Sequence, residues 1–298
     1  MISRIKGAPV DLETLPRSLR RKIFQPKKLS SYPLLSGDTF ATLCDYELQE
    51  RDLASGTSSL ALLKSFKRIF VGAKPSNDRA FRMAKLLQEH SLPLLKDSDL
   101  IIHNGDEIPS REEIATLAHH FRSIYSVNYL GDLENVYPIP IGLENKRIFR
   151  NGVPRDYLQH NRLKPKAKRK IDFLFAFSIH TNTEERSQAL SFASKLKNSY
   201  FVSGPITPKN YRELIKNSKF VVSPPGNGPD CHRTWESLYL GATPIVKARF
   251  WPFAKMSLPV LKVSDWHDLT EISPTIEMFG GSSWTSINNW LEKPLRLK

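Results

Sequence analysis

Residues 220–246 read FVVSPPGNGPDCHRTWESLYLGATPIV: an apolar run, two prolines, a glycine-rich turn, then Asp230, His232, Arg233 and Glu236 in close succession. Pro224 and Pro225 remove two amide donors and stiffen the exit from a strand ending at Ser223. Gly226 and Gly228, with Asn227 between them, permit close backbone approach by a ligand or positive φ. Asp230 stands where it would cap a helix beginning near Cys231. The free N–H groups of such a helix favour negative charge by roughly 0.3–1 kcal/mol, and phosphate binds readily there. Arg233 lies in the first turn, where a cation opposes the helix dipole. A bound diphosphate would compensate it, each charge-assisted bond contributing roughly 1.5–3 kcal/mol. Glu236 falls one turn after His232 and Arg233 on the same face, where a carboxylate can take both hydroxyls of a ribose. Together these residues suit a nucleotide diphosphate. The plainer alternative is that Glu236 pairs with Arg233 and the glycines only make a turn.

Two further stretches have the same form. FAFSIHTNTEER, residues 175–186, ends a strand near Phe177 and fills the next loop with Ser178, His180, Thr181 and Asn182. Arg186 follows in the first turns of a helix. Hydroxyls, an amide and an arginine there can hold phosphate oxygens, without the glycines of a dinucleotide fingerprint; ordinary capping is the alternative. IIHNGDEI, residues 101–108, places His103, Asn104 and Asp106 after another strand. A carboxylate or imidazole there is positioned as a general base if the other half of the chain holds an activated donor. Alternatively, Asp106 caps a turn with Gly105. Asp97 and Asp99 form a D-x-D that precedes its strand and is expected to be a solvated turn. Cys231, His232 and His103 lack metal-ligand spacing, so no metal is expected. His119 and His120 lie on a predicted helix and are expected to be structural.

The elements that position these residues alternate. In the first half, strands are predicted at 68–73, 99–105, 124–130 and 136–143, with helices at 77–90 and 110–121, the latter N-capped by Ser110. In the second, strands at 171–177, 200–204, 219–223, 243–246 and 259–263 alternate with helices at 181–198, 207–218 (Thr207 as N-cap, Pro208 at N1) and 230–240, and with a shorter unit at 265–272. Gly241 sits where a helix C′ glycine belongs. A final helix at 282–298 would bury Trp284, Ile287 and Trp290 or Leu291. Alternation of this kind implies parallel βαβ units and an α/β fold. The expected organisation is an N-terminal acceptor-binding Rossmann-like domain (1–150), a basic exposed linker (151–170), a C-terminal nucleotide-binding Rossmann-like domain (171–280) and a terminal helix (281–298) packing back on the first domain. Ligands of open α/β sheets sit outside the carboxyl ends of strands, and the residues singled out above lie there.

Composition narrows the class. The 298 residues are 40% hydrophobic and 25% charged, as in globular proteins. No run approaches the roughly 18 apolar residues that span a bilayer, and the opening residues lack the apolar core of a signal peptide. With only Cys44 and Cys231, a cytoplasmic location is expected. The net charge of +14 favours an anionic partner. The densest basic run, RLKPKAKRK at 162–170, lacks interleaved aromatics, and no helix-turn-helix is evident, so nucleic acid is not an expected partner.

SPPGNGPDCHRTWESLYLGATPIV strongly resembles the nucleotide-sugar motif of exostosin-like glycosyltransferases, near family 47, with the small bacterial and viral members most similar. The resemblance extends to YPLLSGDTFATLCDY, HNGD, YPIPIGLEN and FSIHTNTEER, and so covers most of the chain. It implies a GT-B fold, two Rossmann-like domains facing a cleft, and a nucleotide-sugar donor in the second, usually a uridine diphosphate sugar. It implies that Arg233 holds the diphosphate, Glu236 the ribose, and Ser178, Thr181, Asn182 and Arg186 the phosphate side. His232 matches the family's usual His-Arg pair. The expected activity is transfer of a sugar to a glycan acceptor, inverting, with Asp106 as base and His103 second, and no cofactor beyond the donor. The rival expectations are a non-catalytic nucleotide or nucleic-acid binder and a transferase of a phospho-alditol group.

Overall fold

A computed structural model describes residues 31–54, 62–72, 79–90, 94–146, 151–158, 165–276, 285 and 288–291. It holds two parallel five-stranded sheets, one in each half of the chain.

The first half runs α1 (Gly37–Thr42), β1 (Tyr46–Glu47), α2 (Glu50–Ala54), β2 (Arg68–Gly72), α3 (Arg79–Glu89), β3 (Leu95–His103), α4 (Arg111–His120), β4 (Phe121–Ser126) and β5 (Val136–Pro138). Its strand order is the chain order, β1-β2-β3-β4-β5. Right-handed crossovers that always step the same way leave the crossover helices on one face. Accordingly Ile69, Val71, Leu100, Ile102 and Ile124 bury themselves against α2, α3 and α4. The alternate residues Phe70, Ile101 and Tyr125 face the other way. Ser110 caps α4 as its sequence suggests, accepting from the Glu113 N–H at 3.3 Å.

The second half runs β6 (Ile171–Phe175), α5 (Thr183–Ser191), β7 (Ser199–Phe201), α6 (Pro208–Lys216), β8 (Ser218–Val222), α7 (His232–Tyr239), β9 (Thr243–Lys247) and β10 (Leu261–Val263). Here the order is β10-β9-β8-β6-β7. The chain leaves β6 for β7 on one side and then returns to place β8 on the other, so helices cover both faces and a topological switch point lies between β6 and β8. Thr207 caps α6 with Pro208 in its first turn. Gly241, at φ +75°, ends α7 in a Schellman motif: Ala242 N–H donates to Ser237 and Gly241 N–H to Leu238.

Several local expectations change. The helix expected over 181–198 stops at Ser191, and a 3₁₀ turn follows in which the Ala193 carbonyl accepts from Ser199 Oγ at 2.6 Å. Asp99 is not a solvated turn residue. It lies within β3, 4% exposed, and accepts two bonds from Arg122 on the adjacent strand. The basic run is not an exposed linker throughout. Arg169 is buried and donates to the Ser218 carbonyl at 2.9 Å, and the Lys166 ammonium stands 4.1 Å over the Phe220 ring. Of the expected terminal helix, α8 (Asn288–Leu291) is described, while Trp284 and Ile287 lie outside the described residues.

One contiguous apolar cluster joins the halves. It contains Phe70, Ile101 and Tyr125 from the first sheet and Leu174, Val221 and Val246 from the second, with Trp235 of α7 among them. Trp290 of α8 packs edge-on against Trp235 at 5.8 Å, and the Leu291 carbonyl accepts from Tyr125 Oη at 3.1 Å.

Candidate functional site

The carboxyl ends of β6 and β8 are adjacent at the switch point, and two arginines converge there. Arg186, on α5, donates from Nε to the Pro225 carbonyl at 2.9 Å and from Nη1 to the Ser178 carbonyl at 2.6 Å. Arg233, in the first turn of α7, donates from Nε to the Ala176 carbonyl at 2.9 Å, and its Nη1 lies 3.4 Å from both Ser223 Oγ and the Pro224 carbonyl. Both guanidiniums stand over the Phe177 ring, at 5.1 Å for Arg233 and 5.7 Å for Arg186. They are 8% and 6% exposed, and among the described residues neither forms an ion pair with a carboxylate. Burial, together with the like charge of Arg233, pushes the Arg186 guanidinium down to about 10. Two buried cations held by neutral carbonyls leave the site strongly electropositive.

The glycines serve this arrangement differently from the sequence expectation. Neither Gly226 nor Gly228 has positive φ. A Cβ on Gly226 would stand 2.7 Å from Arg186 Nη2, and one on Gly228 would stand 2.5 Å from the Asp106 carbonyl and 2.7 Å from Asn128 Nδ2. Each glycine therefore makes room for a protein group. Asn182 caps α5, accepting from Glu185 N–H at 3.2 Å, and its amide donates to the Gly226 carbonyl at 3.3 Å. Ser178 and Thr181 are exposed on the loop before α5, where Thr181 Oγ1 donates back to the Ser178 carbonyl at 3.4 Å.

A cavity of about 1150 Å³ adjoins the arginines. Residues 176–180, the loop 202–207 after β7, Tyr211 of α6 and Asn151 line it. Tyr211, rather than Glu236, forms its wall. Glu236 is 3% exposed, makes no ion pair with Arg233 among the described residues, and accepts from Tyr211 Oη at 2.8 Å. Burial raises the Glu236 carboxyl above its ordinary range. Phe177, Tyr211 and the 202–207 loop escape the sequence reading, although the same rule of looking after each strand applied to β7 points to that loop.

Four other residues of the glycine-rich segment face the first half. Asp230 does not cap α7, whose N-cap is Cys231. Its carboxylate accepts instead from Ile141 N–H at 2.9 Å, Cys231 N–H at 2.8 Å and the Trp235 indole at 2.9 Å. Complete burial raises it to about 6 against those bonds. Its own N–H donates to Asn128 Oδ1 at 3.2 Å. His232 Nδ1 lies 2.7 Å from the Gly142 carbonyl, so Nδ1 carries the proton. Asn227 Nδ2 donates to Asp106 Oδ2 at 3.2 Å, and Gly228 packs under the same loop. Asn104 and Asn128, at φ 67° and 60°, turn the ends of β3 and β4 toward these contacts.

The two candidate bases separate cleanly. Asp106 is half-buried and stands at the junction of the halves. His103 is 1% exposed, its Nε2 is 3.0 Å from the Pro140 carbonyl, and its Nδ1 accepts from Asn104 N–H at 2.7 Å. With both nitrogens bonded inside the protein, His103 cannot accept a proton from a ligand. Among the described residues no cluster of His, Cys, Asp or Glu has the form of a metal site, and no helix is long and apolar enough to cross a membrane. No protein-family model matches the chain, and no curated protein sequence matches it.

Proposed function

We propose that the protein is a glycosyltransferase of GT-B architecture, moving a sugar from a nucleotide-sugar donor, a uridine diphosphate sugar by resemblance, to a glycan acceptor. The observation that carries this reading is the pair of buried guanidiniums, unpaired with any carboxylate among the described residues, at the β6/β8 switch point. Such a pair suits a diphosphate, and the adjoining cavity of about 1150 Å³ has space for a nucleoside. Asp106 takes the proton of the acceptor hydroxyl as its oxygen bonds to the anomeric carbon. The bond from that carbon to the diphosphate oxygen breaks, the electron pair leaves with the diphosphate, and the sugar inverts. Arg186 and Arg233 stabilise the charge that grows there. Asn227, bonded to Asp106, ties the base to the donor loop.

Nucleotide release from a panel of nucleotide sugars, with and without glycan acceptors, tests the reading. Release of a nucleoside diphosphate with each transfer is expected. Release of a monophosphate from an activated alditol would identify phospho-group transfer instead, and no release from any donor would leave a binding protein. Asp106→Ala is expected to retain nucleotide binding and lose transfer; full activity in that variant would remove Asp106 as base.

A further inference from the structure

A second cavity, of about 730 Å³, lies between β5 with the connection leading into it and the segment that follows β9, and shares no lining residue with the nucleotide site. One wall is the β4–β5 connection, with Asp132 and Glu134, and β5, with Tyr137. The other is the segment after β9 with Arg249 and Trp251, and Trp290 closes it. The volume is that of a small-ligand site. Tyr137 is half-buried, its ring 5.5 Å from that of Tyr125, and Trp251 and Trp290 are held in the core that joins the halves. Trp251 and Trp290 are only 4% and 3% exposed, so Tyr137 is the accessible ring, and the two tryptophans help fix the core behind it. The charges are mixed. Asp132 and Glu134 are exposed on one side, and Arg249, anchored by Glu185, is exposed on the other with Lys255. An anionic chain would meet two carboxylates and a cationic chain two cations, so the lining favours a neutral ligand rich in hydroxyls. Apolar sugar faces suit the Tyr137 ring, and sugar hydroxyls suit the charged rim.

The position matters as much as the lining. Leu130, at one end of the cavity, lies two residues beyond Asn128, which holds the Asp230 N–H, and Asn128 and Asp106 both touch Gly228. We propose that this cavity binds a stretch of uncharged oligosaccharide whose end is directed at Asp106. As the seat of the acceptor it rests on the glycosyltransferase reading; as a saccharide site it does not.

The test is an oligosaccharide microarray carrying neutral, uronic-acid and sulfated chains, probed with the full-length protein, beside thermal shifts with uridine diphosphate. Binding to neutral chains is expected. Tyr137→Ala should weaken it at least tenfold and leave the nucleotide shift intact. Glu134→Gln, at an exposed position, should weaken it without any risk to folding. Binding of no oligosaccharide, preference for the charged chains, or unchanged binding in both variants overturns the proposal. Saccharide binding without nucleotide release from any donor would uphold this site and remove the transferase reading.

Discussion

Gly226 has room for hydrogen and little else, because Arg186 Nη2 occupies the space where a side chain would grow. Gly226→Ala displaces the far end of a flexible side chain, so the fold should persist while the guanidinium moves. The expected loss is that of one charge-assisted bond to phosphate, about 1.5–3 kcal/mol in uridine diphosphate affinity, read by calorimetry against an unchanged melting temperature. Tyr157 gives a contrasting case. Its hydroxyl is buried without a hydrogen-bond partner among the described residues. Tyr157→Phe removes an unsatisfied group and should raise stability by roughly 1 kcal/mol in urea unfolding. At this scale the sequence was partly legible. Arg233 announces itself because a cation in a first helical turn needs a partner. Phe177 and Tyr211 do not, since an aromatic residue near a strand end or on an amphipathic helix reads as core. The contact of His103 with Pro140 is not legible either, because the two lie 37 positions apart and no local pattern shows that they meet.

The loop between β8 and α7 acts as a strap between the halves, and Asp230 is its knot. A carboxylate raised to about 6 by burial binds a proton more tightly folded than unfolded. Its contribution to stability is therefore fully present below the unfolded value near 3.8 and is lost as pH rises through about 6. The difference is on the order of 3 kcal/mol across that window. Urea unfolding of the wild type should show a component that weakens between about pH 4 and pH 7. Asp230→Asn should abolish that component while losing part of the hydrogen-bond network at every pH. An unaltered pH dependence in the variant would place the titration elsewhere. The elements themselves were largely legible, because turns, caps and apolar runs are local signals. Ser110, Thr207, Pro208 and Gly241 each mark a helix end that the structure contains. What local signals could not reveal was partnership: that Asp230 would turn from its own helix to Ile141, or that Asp99 would pair with Arg122.

At the scale of the molecule, Trp235 joins what the chain order separates. It stacks with Trp251 and meets Phe253 and Trp290 edge-on, within a cluster that reaches Phe70 and Ile101 of the first sheet. Trp235→Ala should cost about 3–5 kcal/mol, and scanning calorimetry of the wild type should show one transition, not one per half. Alternating strands and helices made the two parallel sheets predictable. Their strand orders were not, because sequence periodicity records which face is buried and not which strand is next. That difference in order has a consequence for synthesis. Every strand of the first sheet pairs with the one made just before it, so the sheet can be laid down in step with a growing chain. Its other face is only partly covered, by Leu35, Phe40, Ile139 and Leu143, until Trp235, and finally Trp290 and Leu291, have been made. A ribosome pausing between those points would hold a finished sheet with part of that apolar side in water, which is the surface a chaperone would meet.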